Sequence, residues 1–199
     1  MRKIRINQRR LASIENKQVG PIVGNILQKK IIEGVNRARN EALKEFESHP
    51  ATKEIDSGPE GFNQSGTLGG YGNLFSFIGF EESMKPIDPI RAIFNKKIDV
   101  KASPSNLKSN KINFTVNIPS KEDMFDASPM PWIPGRSWLE GIEKGISGLS
   151  NYINRMSFSS RSGEGVQTKN KIRTGRFRNI PYISQILNSF RKNILDNIK

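Results

Sequence analysis

A long run of apolar residues at helical spacing constrains this chain more than any other feature of its sequence. Gly20 and Pro21 suit a helix start, because a proline in the first turn loses no hydrogen bond. His49 and Pro50 then end the helix near Ser48. Apolar side chains recur between these points at steps of three and four, at Ile22, Val23, Ile26, Leu27, Ile31, Val35, Ala38, Ala42 and Phe46. The spacing predicts one buried helix face, which other elements must cover.

Alternating segments later in the chain predict a small sheet. In KINFTVNIP, the apolar residues Ile112, Phe114, Val116 and Ile118 alternate with polar ones, and a shorter alternation precedes them from Ile98 to Ala102. Strict alternation is typical of an antiparallel hairpin with one buried face. A second amphipathic helix follows Pro181. The predicted fold class is α+β, with the long N-terminal helix and the C-terminal helix packed on this sheet.

Several weaker signals predict shorter elements. Asp88 is predicted to cap a short helix with Pro89 at its first position, and Ser120 with Asp123 to form a capping box. The proline-rich segment 128–135 is expected to be extended, and a helix or strand from Trp138 is expected to break near Gly145. Residues 51–64 are interpreted as an exposed polar connection.

Length and composition predict one domain with arms. The chain has 199 residues, of which 35% are hydrophobic, with 17 glycines and 11 prolines. One domain fits this length, while the composition requires long loops. We assign residues 1–19 to a basic N-terminal arm and 20–199 to a single α+β domain. That domain includes a glycine-rich apolar loop at 65–80 and a basic loop at 155–178.

The glycine-rich loop, SGTLGGYGNLFSFIGF, combines flexibility with apolar side chains. Residues 74–80 are predicted to form a short strand because aromatic and branched residues suit a pleated surface. No Gly-Lys-Ser/Thr follows the glycines, so a phosphate-binding loop is disfavoured. Two interpretations stay open. The loop is an assembly element that becomes ordered on a partner, or its residues Phe75, Phe77 and Phe80 complete the core of its own domain.

Positive charge is concentrated at the two ends of the chain. The formal net charge is +13, with eight Lys or Arg against one Glu in residues 1–30 and ten against two acidic residues in 155–199. This asymmetry favours a polyanionic partner or an acidic protein surface, with solvated basic tails as the alternative. The candidate contact residues are Arg2, Lys3, Arg5, Arg9, Arg10, Arg173, Arg176 and Arg178.

The residue inventory disfavours an enzyme. The chain has no cysteine and one histidine, His49, whose position beside Pro50 favours a capping role. Close carboxylate pairs such as Asp123 with Asp126 lack the further ligands that a metal site needs. We predict no catalytic, cofactor or metal site. No apolar run is long enough to span a bilayer, so a cytosolic protein without membrane contact is expected.

The order of short motifs resembles a family of structural proteins. A long helix comes first, and a Ser-Gly-X-Leu turn follows it at Ser65, Gly66 and Leu68. After the turn come the alternating hairpin, the W-L-E-G-I-E-K-G segment from Trp138 and the P-Y-I-S-Q-I-L segment from Pro181. This order is similar to that of the tail-completion, or neck, proteins of tailed bacteriophages, over most of residues 20–195. The glycine-rich loop is longer than in that family, and the helix at 90–94 and the basic segment at 155–178 are additional.

The resemblance implies a virion structural protein without catalysis. Such a protein is made in the host cytoplasm and forms a homo-oligomeric ring, commonly a hexamer, as a head-tail connector between portal, adaptor and tail-tube proteins. The basic ends would then contact those neighbours or the genomic DNA in the channel. Which neck layer it forms (stopper, terminator or joining ring) stays open. The implied interface residues are Ser65, Gly66, Leu68, Tyr71, Leu74, Phe75, Phe77, Trp132 and Trp138.

Two other function classes stay open beside the neck protein. The charged ends suit a basic nucleic-acid-binding or packaging-associated protein, which would bind duplex DNA with a steep salt dependence. An enzyme or an unrelated binding module is the third class, and it would require a polar cluster in a pocket.

Overall fold

The structure, a computed structural model, describes residues 2–9, 19–68, 72–96, 98–103, 111–131, 133–144 and 180–198. Within these ranges the chain is mostly helical, with small antiparallel sheets. Its elements are β1 (Arg2–Arg9), α1 (Val19–Ser48), α2 (Pro50–Asp56), α3 (Leu74–Ile78), α4 (Asp88–Asn95), β2 (Val100–Ser103), β3 (Lys111–Ile118), α5 (Lys121–Asp126), β4 (Pro129–Met130), β5 (Ile133–Ser137), α6 (Trp138–Lys144) and α7 (Ile183–Asn197). The predicted α+β class, with its two terminal helices beside a small sheet, is confirmed.

Helix α1 packs antiparallel against the C-terminal helix α7. Glu41 accepts a hydrogen bond from Asn193 at 2.9 Å, and Glu45 accepts one from Ser189 at 3.4 Å. Near the other end of the contact, a Cβ at Gly34 would lie 2.9 Å from the Asn197 carbonyl oxygen. Glycine at this position therefore lets the end of α7 approach α1 closely.

The apolar core lies between α1, α7 and the sheet and draws on nearly every described element. The Phe46 ring lies 5.4 Å from that of Phe94 and 6.0 Å from that of Tyr182, centre to centre. Burial of this apolar surface is the main force that holds the elements together. Its fully buried members include Ile31, Val35, Ala38, Ala42, Phe46, Ile55, Phe94, Phe114, Val116, Ile118, Trp138, Tyr182, Ile186, Phe190 and Ile194.

The three-stranded sheet has the order β1–β3–β2, with both pairs antiparallel. The predicted hairpin is confirmed as β2 and β3. Strand β1 lies within the segment that we assigned to a basic arm, and it pairs with β3 from Arg2 opposite Ile118 to Arg9 opposite Lys111. Residues 2–9 are therefore an edge strand. The alternation of Ile4 and Ile6 with polar residues is typical of a strand, but the high positive charge of the segment favoured the interpretation as an arm.

The polar connection predicted for residues 51–64 is wrong in its first half. Residues Pro50–Asp56 form α2, in which Ala51, Thr52, Glu54 and Ile55 are buried. His49 caps this helix, because its Nδ1 accepts a hydrogen bond from the Ala51 N–H at 3.2 Å. Pro50 follows at the first helical position, where its missing N–H is harmless. His49 therefore has a capping role, as predicted, but it caps the start of α2 and not the end of α1.

We expect the stability of the chain to depend on the protonation of His49. Burial holds the pKa of His49 below its usual value near 6.5, and its hydrogen bond to the Pro181 backbone acts in the opposite direction. The unfolded chain therefore binds the proton more readily than the folded chain does. The contribution of neutral His49 is fully present above the unfolded pKa and is lost as the pH falls toward the folded pKa.

Thermal unfolding measured between about pH 7 and about pH 5 tests this expectation, because histidine is the side chain that normally titrates in this window. The unfolding midpoint of the native chain should fall with pH. The His49→Asn variant keeps a capping acceptor that does not titrate. Since His49 is the only histidine, this variant should lose most of the pH dependence. An equal slope in both proteins would contradict the expectation.

The strand predicted from Leu74 to Phe80 is also wrong. Residues Leu74–Ile78 form the short helix α3. Asn73 caps its start by accepting from the Ser76 N–H, and Gly79 ends it with a left-handed backbone, φ 86°. These two local signals outweigh the aromatic residues that favoured a strand.

Most of the remaining short elements follow the sequence, but the predicted cap at Asp88 is wrong, because Asp88 is the first residue of α4 and Ile87 stands at its N-cap position without a side-chain hydrogen bond. Ser120 and Asp123 form the predicted capping box at α5, and the two hydrogen bonds from Ser120 hold the pKa of Asp123 below its usual value. The predicted extended segment contains β4 and β5, which pair with each other. Helix α6 covers Trp138–Lys144, and the predicted break near Gly145 lies outside the described residues. The basic loop at 155–178 lies outside the described residues.

Within the described ranges, every helix is too short or too polar to span a bilayer.

Candidate functional site

A buried carboxylate on α2 binds the backbone on both sides of a glycine-rich stretch, at residues 65 and 74. Glu54 has no exposed surface, although a buried carboxylate is costly unless hydrogen bonds compensate for its lost hydration. Its Oε2 accepts from the Ser65 N–H at 2.8 Å, and its Oε1 accepts from the Leu74 N–H at 2.7 Å. One side chain thus fixes residues 65 and 74, the two points between which the glycines lie.

Asn73 connects the same segment to the preceding turn, residues 58–62, which we call the Phe62 turn. Its Nδ2 donates to the carbonyl oxygens of Pro59 and Gly61, both at 2.8 Å. Asn73 is 3% exposed, so these contacts are shielded from water. The turn is further tightened at Gly61, where a Cβ would meet Ser57 Cβ at 2.8 Å. The Phe62 turn is therefore tied to the start of α3.

This fixed turn presents an aromatic side chain to solvent. Phe62 is 81% exposed, which exceeds the exposure of Ile26, Ile32 and Leu195, the other large apolar side chains found exposed among the described residues. Aromatic side chains supply much of the burial free energy at protein interfaces. Phe62 is not among the interface residues predicted from the sequence. The signal was available, since it is the single aromatic residue in the polar segment ATKEIDSGPEGFNQ.

A half-open apolar pocket lies elsewhere on the surface, between α1, α4, β3, α5 and α7; we call it the α4–α5 pocket. Its volume is about 320 Å³. A cavity of about 150 Å³ can hold a benzene molecule, so this pocket has room for an aromatic ring. Its apolar walls are Ile93, Phe94, Ile98, Pro119, Ala127 and Phe190.

Polar groups of both charges line the same pocket. Arg39 and Lys96 supply positive charge, while Asp123 and Asp126 on α5 supply negative charge. Asn117 also lines the pocket, and its Oδ1 is buried without a hydrogen-bond partner among the described residues. A buried acceptor without a donor is unfavourable.

The structure separates the predicted interface residues into two groups. Leu74, Phe75 and Trp138 are buried in the core of the chain itself, with exposures of 0%, 2% and 1%. Their assignment to a partner interface is corrected, because intramolecular packing already covers these side chains. Phe80 lies 5.4 Å from Phe75 and 5.9 Å from Trp138, measured between ring centres. The alternative interpretation, in which the aromatic residues of the loop complete the core, accounts for them.

The other predicted contact residues are only partly described. Ser65, Leu68 and Phe77 are half-buried, and Gly66 is exposed. Tyr71, Trp132, Arg10, Arg173, Arg176 and Arg178 lie outside the described residues. Arg2, Lys3, Arg5 and Arg9 belong to β1, where the described backbone establishes the pairing with β3. The contacts proposed for these basic residues stay predictions.

The described polar clusters serve structural contacts. Arg91 on α4 binds Glu47 of α1 at 2.6 Å and Asp56 of α2 at 2.7 Å, which joins three helices. These hydrogen bonds raise the pKa of the Arg91 guanidinium well above its usual range. Glu143 of α6 accepts from the Ser184 hydroxyl at 2.6 Å. A search of the described ranges finds no group of three or more residues that could hold a metal ion.

The most distinctive surface features of the described chain are thus the exposed ring on the Phe62 turn and the α4–α5 pocket. In the comparisons with known proteins, no family model, no curated protein and no solved structure matches this chain.

Proposed function

We propose that this chain is a structural subunit of the neck of a tailed bacteriophage, where copies form a ring that joins the portal and head to the tail. The proposal starts from the order of helix, Ser-Gly-X-Leu turn, hairpin, Trp-led segment and Pro-Tyr helix in the sequence. In the structure these segments are α1, the turn at Ser65, β2 with β3, α6 and α7.

Residues from two of these sequence motifs, Ser65 and Tyr182, contact side chains of α2. Ser65 donates to Glu54, and the Tyr182 hydroxyl lies 2.5 Å from the Thr52 hydroxyl. Burial raises the pKa of the Tyr182 hydroxyl well above its usual range, so this group stays protonated. A role in holding the fold together explains these residues without any catalytic step, as the proposal of a structural subunit requires.

The observation that carries the proposal is the fixed exposure of Phe62. A ring subunit must present one surface to a different surface of its neighbour. An aromatic side chain that is 81% exposed on a hydrogen-bonded turn provides apolar surface for such a contact. The basic ends would then contact acidic surfaces of adjacent portal, adaptor or tail-tube proteins, or the DNA in the channel.

The net charge of +13 favours a second candidate, a basic nucleic-acid-binding or packaging-associated protein. This function predicts binding to duplex DNA that weakens steeply between about 50 and about 200 mM salt, because cationic side chains displace counterions from the phosphates. Fluorescence anisotropy with a labelled duplex measures this dependence. An absence of binding at low salt eliminates the second candidate.

Electron microscopy of purified virions labelled with Fab fragments against this chain tests the neck proposal. We expect label concentrated at the junction of head and tail. Fab fragments adsorbed with the purified chain provide the matched control, in which this label should disappear. Label that is absent from virions, or distributed over the capsid shell, would refute the proposed location.

A further inference from the structure

We propose that one face of the three-stranded sheet β1–β3–β2 is a binding site for the phosphate backbone of duplex DNA. This face lies opposite the one that packs on the core, and we call it the outer face. The inference rests on the proposed function for access to DNA in the channel. The site itself follows from the register of the strands and the residues that they carry.

The register of the strands determines which residues belong to the outer face. Phe114 and Val116 of β3 have no exposed surface and belong to the core. Successive residues of a strand alternate between the two faces, so Thr115 belongs to the outer face. Residues directly opposite each other on neighbouring strands share a face. The pairing therefore gives the outer face the positions of Lys3, Arg5, Asn7, Arg9, Lys101, Ser103, Lys111, Asn113, Thr115 and Asn117.

Positive charge dominates the outer face. The three strands contain no Asp or Glu, and half of the outer-face positions carry Lys or Arg. Asp99, just before β2, lies 3.2 Å from Lys101 Nζ, and the two side chains are 53% and 71% exposed. An ion pair as exposed as this contributes little free energy, so Lys101 can exchange Asp99 for a phosphate. The five cationic residues thus outweigh this carboxylate.

The residue types on the outer face favour DNA over an acidic protein surface. Its positions carry no apolar and no aromatic residue. The core of a protein–protein interface, in contrast, is apolar, enriched in aromatic residues and depleted of lysine. Protein–DNA interfaces are more polar and much more positively charged. The uncharged positions, which include Asn113 and Thr115, carry amide and hydroxyl groups of the kinds that commonly bind phosphate oxygens.

The same residues favour a duplex over a single strand. Proteins that bind single strands without sequence preference stack the bases on aromatic side chains, which the outer-face positions lack. From Lys3 to Arg9 the face is about 20 Å long, at about 3.3 Å per residue. Phosphates of one duplex strand recur about every 3.4 Å along the helix axis, so the face can meet about six of them. Such contacts position the duplex without reading its sequence.

Fluorescence anisotropy with a labelled duplex tests the site on the full chain. Thr115 is the test position, because it lies opposite Arg5 on one side and Lys101 on the other. Thr115→Glu places a negative charge between these cations and should weaken binding at least about tenfold at about 100 mM salt. Thr115→Gln has nearly the same shape without the charge and should bind like the native chain. Opposite charges on neighbouring strands favour their pairing, so Thr115→Glu should fold.

The salt dependence of binding counts the phosphate contacts that the sheet makes. Each lost contact reduces the slope of log affinity against log salt concentration by about 0.9. Arg5→Gln and Lys101→Gln, combined in one chain, should therefore reduce the slope by about two. Lys53→Gln and Lys85→Gln are the matched control, because they remove the same charge from exposed positions outside the sheet. This control should leave the slope nearly unchanged.

Several outcomes would overturn the DNA site. These are no duplex binding at low salt, equal binding by Thr115→Glu and Thr115→Gln, or equal slopes in the two double variants. Tighter binding of labelled polyglutamate than of the duplex at the same salt would assign the outer face to an acidic protein instead. If the DNA site fails while Fab label marks the neck, the neck function stands. If the sheet variants lose DNA binding while label is absent from virions, the DNA site stands and the neck function fails.

Discussion

Replacing Glu54 with alanine is expected to lower the free energy of unfolding by about 2–5 kcal/mol, since it leaves one buried and one partly buried N–H donor without an acceptor. These donors are the backbone N–H groups of Ser65 and Leu74. For a chain of this size, each kcal/mol corresponds to a shift of about 2–4 °C in the unfolding midpoint. Equilibrium urea unfolding followed by circular dichroism measures the change directly.

Two further variants show whether the carboxylate itself is responsible. Glu54→Gln keeps the volume but offers one acceptor and places an NH₂ group near the second donor, so about half of the loss is expected. Glu60→Ala removes an exposed carboxylate from the same region and should change the free energy of unfolding by less than about 0.5 kcal/mol. If Glu54→Ala also remains within that range, the buried anchor does not stabilise the fold.

Replacing Trp138 with alanine is the second change with a large expected effect. Trp138 is 1% exposed, and its ring lies 5.9 Å from that of Phe80 in an edge-to-face arrangement. Truncating a buried tryptophan removes its burial free energy and leaves a cavity, which typically costs about 3–5 kcal/mol. The loss should appear in urea unfolding of the isolated chain.

Phe62→Ala is the matched control, because it also removes an aromatic ring. Phe62 is 81% exposed, so its truncation should change the unfolding of the isolated chain by less than about 0.5 kcal/mol. The two variants thus distinguish an aromatic residue of the core from one that is available to a partner. If Trp138→Ala and the native chain unfold with the same free energy, Trp138 does not stabilise the core, and the prediction that it lies at a partner interface is favoured.

Elements with dense periodic patterns were predictable from the sequence. Helices α1 and α7 and strand β3 each carry several apolar residues at one period, so their type followed directly. Helix α2 was missed because it is short and polar, and because its buried Glu54 contradicts the expectation that carboxylates are exposed. Helix α3 was missed because aromatic residues favoured a strand, although Asn73 and Gly79 marked its ends.

The candidate site was less predictable than the fold. Apolar residues in a glycine-rich segment indicate burial, but the sequence does not show whether the covering surface belongs to the same chain. Leu74, Phe75 and Trp138 were assigned to a partner and are buried within the chain. Phe62 was overlooked because exposure depends on the turn that Asn73 fixes from outside the segment. The α4–α5 pocket draws on α1, α4, β3, α5 and α7, whose juxtaposition no local pattern reveals.

The packing of α1 on α7 has a consequence for how the chain acquires its structure during synthesis. The hydrogen bonds between these helices join residues 144 and 152 positions apart. A nascent chain that has emerged as far as Lys144 contains α1 but lacks the helix that covers it, so Ile31 and Val35 lose a major source of burial. Such distant contacts form slowly, because a long loop must close first. The core is therefore completed only after α7 leaves the ribosome, and until then the exposed helix face is a target for chaperones and for aggregation.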